Sequence, residues 1–352
     1  MNRKIKYVIS IVILMLTISC CGCVDPKVWE KLSRDDWNYA NNNNSVMPSI
    51  IRLADNRLMM VCWENGSVVG YFSGNEGLNF SDKMIIVSSS NNYNPGDPAL
   101  SIIDGEIYLA ISPVYTNYRI GTCETVIMRA KDDNNFNFST IANISHYGVG
   151  GGPVRKISDG SLVLSIYYWQ NEHVEAIKNP RSYVTVLRSI DKGNSWIQGS
   201  PVSPTNKFMN ESDIFESEGH LTMISRSIYA ESGILTSSYD KGITWINPRE
   251  IGFETAGGPI FFKISDNIIL LGYRNTLSKR TCLRVSINSG NTWSKEYVID
   301  YCMCAYPSFI RLMDGTILVA YTDDSFKTDE RSVIKERKFT INSNGAIKWL
   351  KW

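Results

Sequence analysis

A carboxylate, a phenol and a pair of guanidinium groups held beside one another could carry out a distinctive group transfer, and this chain holds candidates for each. Glu211 and Tyr306 are the acid and the phenol; Arg226 and Arg274 are the guanidinium pair, with Arg280 as an alternative to Arg274. Asp97 adds a carboxylate across from them among the residues that could contact a substrate, although its place before Pro98 also fits a turn or capping role. A glutamate near a tyrosine can take the phenolic proton, otherwise held with a pKa of about 10. Paired arginines bind a carboxylate through planar bidentate hydrogen bonds. The set suits a substrate whose own carboxylate adjoins the reacting carbon, where a negatively charged nucleophile would be repelled.

These residues lie far apart in the chain, so the elements between them must bring them together. One clue is the pattern Ser-x-Asp-x-Gly-x-Thr-Trp. It occurs as Ser189-Ile190-Asp191-Lys192-Gly193-Asn194-Ser195-Trp196, as Ser238-Tyr239-Asp240-Lys241-Gly242-Ile243-Thr244-Trp245, and as Ser286-Ile287-Asn288-Ser289-Gly290-Asn291-Thr292-Trp293. Each copy reads as a tight hairpin turn. The Asp or Asn side chain can accept from backbone N–H groups across the turn, the Gly supplies a positive φ, and the Trp packs on the neighbouring sheet. Copies at roughly fifty-residue spacing are a repeat signal.

A second repeat runs through the whole chain: a start residue, a β-rich run, an Asp-Gly-type turn, and another β-rich run. The starts are Pro48, Pro98, Pro153, Ser212, Pro259 and Pro307. The turns are Asp55-Asn56, Asp104-Gly105, Asp159-Gly160, Glu218-Gly219, Asp266-Asn267 and Asp314-Gly315. Such turns between alternating apolar runs are strong hairpin signals. The eight-residue pattern is decayed at Ser73–Phe80, and little of it is left at 130–137 and 340–349. Six units of about fifty residues, each of roughly four strands, cannot bury both faces of their own sheets and must stack. Radial stacking predicts an all-β fold, a six-bladed β-propeller of four-stranded antiparallel blades.

The repeat register then predicts which side chains meet at the axis. The residues preceding each start are Met47, Asp97, Gly152, Glu211, Gly258 and Tyr306. The matching column on strand two is Trp63, Ser112, Tyr167, Arg226, Arg274 and Thr322. Glu211, Tyr306, Arg226 and Arg274 fall around one pocket.

The eight-residue pattern resembles the Asp box of the sialidase (neuraminidase), or BNR-repeat, family, and the resemblance covers nearly all of 45–352. In that family the boxes lie on the face opposite the active site and are structural. The segments Asn210-Glu211-Ser212 through Arg226, and Cys304-Ala305-Tyr306-Pro307-Ser308, resemble those carrying the family's Glu, second Arg and nucleophilic Tyr. The resemblance implies an exo-glycosidase acting on terminal acidic sugars of glycans, with Tyr306 as nucleophile and Glu211 as its base; a non-catalytic glycan-binding propeller is the alternative. Two departures matter. Val46 of Ser45-Val46-Met47-Pro48 stands where the family carries its first Arg, and between Trp63 and Ser73 the only carboxylate is Glu64.

Composition bounds the rest. Met1–Lys6 is basic and Tyr7–Ile18 is an apolar run too short to span a bilayer comfortably; small residues before Cys20 and Cys23 resemble a lipoprotein processing site. The predicted organisation is a leader over 1–23, a tether with a lead-in segment over 24–44, and the propeller over 45–352. The propeller would sit outside the cytoplasm, lipid-anchored or secreted, and act as a monomer on a glycan or glycoconjugate. Without Arg3, Lys4 and Lys6 the charge balance is 33 basic to 35 acidic residues, which argues against nucleic acid as a partner. Cysteines 62, 123, 282, 302 and 304 are odd in number, so no disulfide framework is expected. The three histidines are scattered without metal spacing, and neither a metal nor a cofactor is expected.

Overall fold

The computed structural model describes residues 38–41, 45–91, 93–113, 124–132, 135–145, 147–148, 152–170, 181–202, 209–227, 232–255, 257–301, 305–323 and 332–352. The leader, Cys302, Cys304 and most of the stretch 168–175, which the sequence predicts as an insertion between strands two and three of blade three on the binding face, lie outside them. The described chain is all β, and its sheets form the six antiparallel blades of a β-propeller. The innermost strands are Ser45–Arg52, Ala99–Ile103, Arg155–Lys156, Met209–Ser217, Ile260–Lys263 and Ala305–Arg311. Blades three and six each carry a fifth strand. In blade six it is Asn38–Asn41, which pairs with Val333–Ile341 beside the stretch of that strand used by Ile347–Leu350. This Asn-rich piece of the 24–44 segment is too short and polar to show strand alternation in the sequence.

The core is not one mass but six clusters, one at each junction between neighbouring blades. Strand alternation with period two makes this division. Ile51 and Met59 face blade two, beside Leu109 and Ile111. Their neighbours Ile50 and Met60 face blade six, beside Leu318 and Ile334. The remaining junctions are filled in the same way.

Inner strands of adjacent blades do not share a ladder, so side chains serve their spare backbone donors. Leu100 N–H donates to Ser49 Oγ at 2.8 Å, Phe261 N–H to Asp213 Oδ2 at 2.7 Å, and Ile50 N–H to Ser308 Oγ at 3.1 Å. The last closes blade six onto blade one. Five of the start residues are proline and carry no N–H to satisfy, which suits a strand edge facing the axis. They line an axial cavity of about 270 Å³.

The Asp boxes fasten each blade to the one before. Asp240 Oδ1 accepts from Ser238 Oγ and Thr244 N–H at 2.8 Å each, and Ser238 Oγ accepts from Gly242 N–H at 2.8 Å. The same bonds recur around Asp191 and around Asn288. In the sixth blade Asn342 fills the aspartate's place, accepting from Ala346 N–H at 2.9 Å, although the sequence there keeps little of the pattern. Box positions four and five are both left-handed: Lys192, Lys241 and Ser289 precede glycines with φ of 85°, 91° and 85°. At Gly290 an added Cβ would lie 2.8 Å from the Phe215 ring of blade four.

Two stability predictions follow from this packing. Gly290→Ala forces an L-residue into left-handed backbone and into Phe215, and should cost about 1–2 kcal/mol or more in urea unfolding. Glu336 is fully buried in blade six with neither carboxylate oxygen hydrogen-bonded to another described residue, and burial raises its pKa well above the usual value, against a smaller lowering by Lys338. The folded state therefore holds a proton that the unfolded chain releases above about pH 4.5. The contribution of Glu336 to stability is intact below that pH and is lost as pH rises toward its folded value. Glu336→Gln should narrow the fall in unfolding temperature between acid and neutral pH.

Candidate functional site

At one end of the axis the chain enters each inner strand through a sharp change of backbone direction. Met47, Asp97, Gly258 and Tyr306 all have φ between 48° and 59°, and each precedes a proline. A non-glycine residue there is strained, so its side chain is set by the fold rather than by preference. In blade four the same turn is made by a bulge between Met209 and Ser212, which carries Asn210 and Glu211.

Glu211 is the meeting point. Its Oε1 accepts from the Tyr306 hydroxyl at 3.1 Å and from Arg226 Nη1 at 2.9 Å. Its Oε2 accepts from Gly258 N–H at 2.6 Å. The carboxylate thus joins blades four, five and six. Gly258 cannot carry a side chain: a Cβ would lie 2.5 Å from the Tyr306 ring. Gly257 is packed as closely, its Cβ position falling 2.8 Å from Arg274 Nε, and its carbonyl accepts from Arg274 N–H at 3.2 Å. The Gly257-Gly258 pair is thus a cradle for both Tyr306 and Arg274. The register singles out Gly258 but not its neighbour; the Gly-Gly-Pro run is the signal for both.

The electrostatics follow from crowding three acids around two cations. Burial, then Glu211 and Asp97, push the Tyr306 phenol well above its ordinary pKa, against the pull of Arg274 and Arg226. Tyr306 is therefore protonated at rest, with Glu211 in place to receive the proton. Burial and then the Glu211 carboxylate push Asp97 up to about 7. Burial works against the Arg226 charge, yet Glu211 and Tyr306 outweigh it and hold its pKa above the usual value.

Other candidates lie elsewhere. Arg280 Nη1 faces Glu296 at 3.9 Å, and its guanidinium lies 5.2 Å over the Tyr301 ring. Arg274, not Arg280, is the blade-five guanidinium coupled to Tyr306. Arg52 is held at the far end of its strand by Glu76, at 2.7 and 2.9 Å. Glu64 is 2% exposed and fully engaged: Ser45 Oγ donates at 2.9 Å, the Tyr71 hydroxyl at 2.5 Å and Lys83 Nζ at 2.5 Å. The blade-one corner of the hub is formed instead by Met47, whose N–H donates to Thr322 Oγ1 at 2.8 Å, and by Trp63, whose indole N–H donates to Asn94 at 3.0 Å. The sequence gives no hint of a further guanidinium near the axis. Arg155 of blade three lies in the axial cavity below the site, where both Asp213 oxygens and the Phe261 carbonyl (2.9 Å) receive it. The cavity reaches the site only at Met47, Gly258 and Tyr306; Glu211, Arg226, Arg274 and Asp97 do not line it.

Comparison with known proteins accords with this architecture. No curated protein matches the sequence. Among solved structures, a protein of unknown function from Dyadobacter fermentans has a TM-score of 0.69 at 15% identity, over 86% of this chain and 95% of that one. The intramolecular trans-sialidase from Ruminococcus gnavus, in complex with oseltamivir carboxylate, has a TM-score of 0.67 at 13% identity, over 90% and 100%. The Hadza microbial sialidase Hz136 has a TM-score of 0.66 at 16% identity, over 86% and 68%. At such identities the likeness is one of fold. The sequence itself matches the family described as BNR repeat-like domain over residues 114–319, more than half of its length. This chain belongs to the BNR repeat-like domain family.

Proposed function

We propose that this protein is a sialidase-like exo-glycosidase that removes terminal acidic sugars from glycans. The observation that carries the reading is the 3.1 Å hydrogen bond from the Tyr306 hydroxyl to Glu211 Oε1, with Arg226 on the same oxygen. Glycosidases of the tyrosine-nucleophile kind are the exception to hydrolysis by two carboxylates. Here the phenolic oxygen of Tyr306 would attack the anomeric carbon as its proton passes to Glu211. The bond to the departing glycan oxygen breaks, and a covalent glycosyl–tyrosine forms. Water then displaces the phenolate, which recovers its proton from Glu211. Arg226 and Arg274 would hold the carboxylate beside the reacting carbon, where a neutral nucleophile avoids the repulsion an ionised one would meet.

Two observations favour a second reading, a glycan-binding propeller without turnover. Val46 stands where the sialidase resemblance puts the first arginine of the family's set, and Glu64 is committed to a buried network. The blade-one side of the pocket is then apolar and aromatic, suited to holding a sugar ring.

The test is an assay of the purified protein on sialosides and on related 2-keto acid glycosides. Tyr306→Phe should reduce turnover to background, and Glu211→Gln should lower kcat by on the order of 10²–10⁴, the usual worth of a positioned proton acceptor. Equal turnover by wild type and Tyr306→Phe would remove the phenol from the mechanism. Binding of the same sugars without turnover would establish the second reading. Arg226→Lys keeps the charge but loses the planar fork, and should weaken binding of the acidic sugar by roughly 10–100-fold, the worth of a charged hydrogen bond; an unchanged KM would take Arg226 out of the clamp.

A further inference from the structure

The mechanism above leaves the departing glycan oxygen without a proton. An acid is needed on the far side of the sugar from Tyr306; the sialidase resemblance puts it in a blade-one loop, and between Trp63 and Ser73 the only carboxylate is Glu64. That side chain is 2% exposed, and its oxygens are taken by Ser45, Tyr71 and Lys83. It cannot reach a substrate.

Asp97 meets the requirement in blade two. It occupies the same left-handed position before a proline as Tyr306 does in blade six, with φ of 48° against 55°. The backbone beside it is pinned: Gly96 N–H donates to the Ser112 carbonyl at 3.1 Å, and Ser112 N–H returns a bond to Gly96 O at 2.8 Å. Unlike Glu64, Asp97 makes no hydrogen bond to any described residue. Its field reaches Tyr306, and that of Glu211 reaches Asp97. Among the described residues, the titratable groups whose charges act on or feel Asp97 are Glu211 of blade four and Tyr306 of blade six; Arg226 is hydrogen-bonded to Glu211, and the charges of Arg226 and Arg274 act on Tyr306.

Resting on the glycosidase reading above, we infer that Asp97 is the proton donor to the departing glycan oxygen and the acceptor of the water proton in the second step. In the first step the carbon–oxygen bond breaks, its electron pair goes to the departing oxygen, and the Asp97 proton neutralises that oxygen. In the second step the ionised Asp97 takes a proton from water as the water oxygen bonds to the anomeric carbon. The Tyr306 phenolate leaves and recovers its proton from Glu211, so both acids return to their starting states. A carboxyl titrating at about 7 can serve in both directions at neutral pH. The acid has in effect moved one blade from where the family resemblance puts it.

The experiment compares wild type with Asp97→Asn on two glycosides of one acidic sugar, an alkyl glycoside and a 4-nitrophenyl glycoside. The nitrophenolate leaves without a proton. Asp97→Asn should lower the rate on the alkyl glycoside by on the order of 10²–10⁴, and the first turnover of the nitrophenyl glycoside by less than about tenfold. Added azide, a nucleophile that needs no base, should restore nitrophenyl turnover in the variant and yield the glycosyl azide. The loss of wild-type kcat/KM above about pH 7 should vanish in the variant. The readout is a ratio of two rates on one preparation, so partial misfolding cancels. Equal losses on both substrates, with the alkaline limb and azide response unchanged, would overturn the role of Asp97 and leave the glycosidase reading standing. Absence of wild-type turnover on both glycosides would overturn the glycosidase reading, and the role of Asp97 with it.

Discussion

The whole arrangement depends on the fact that a four-stranded sheet with two apolar faces has no stable life alone. Each blade must bury Ile50-type residues on one side and Ile51-type residues on the other, so it needs a neighbour on both. Six blades satisfy one another only by closing a ring, and closure is completed where Ile50 of blade one donates to Ser308 of blade six. The catalytic candidates are a by-product of that geometry. Residues as distant as Asp97, Glu211 and Tyr306 converge because each sits at the turn into an inner strand, and the ring forces those turns together.

Convergence of this kind concentrates charge. The three acids are tolerable because each is treated differently. Glu211 is spread over a phenol, a guanidinium and a backbone N–H. The Tyr306 phenol is kept protonated by burial and by its acidic neighbours. Asp97, with no hydrogen bond to another described residue, is pushed up by burial and by Glu211. Groups whose environments drive their proton affinities apart are the usual basis for dividing acid, base and nucleophile among similar side chains. The glycine pair at Gly257 and Gly258 lets these groups approach: any side chain there would displace Tyr306 or Arg274.

Much of the fold was legible in the sequence because turns and alternation repeat. The Pro starts, the Asp-Gly turns and the boxes fix the blade number and register, and the register alone puts Glu211, Tyr306, Arg226 and Arg274 in related positions. What was hidden is what depends on burial and on partners from another blade. Glu64 reads as a loop acid, yet Ser45, Tyr71 and Lys83 enclose it. Arg155 carries no repeat or motif signal, yet it is drawn into the axis by Asp213 of the next blade. Arg274 and Arg280 lie on paired neighbouring strands of blade five; the register favours Arg274, and the Glu296 and Tyr301 contacts of Arg280 appear only in the fold. Asn342 replaces an aspartate in a box that has lost its other marks.

The strand Asn38–Asn41 carries one more implication. It borders Val333–Ile341, at the opposite end of the described chain, so blade six is assembled from segments that lie far apart in sequence. Blades two to five draw their strands from single stretches of sequence, whereas this seam has the greatest sequence separation of any pairing among the described strands. Contacts of such sequence separation are slow to form and leave strand edges uncovered meanwhile. The junction that holds the ring shut thus joins the most distant segments of the described chain, and it is there that an unfinished molecule would offer an open edge to a neighbour.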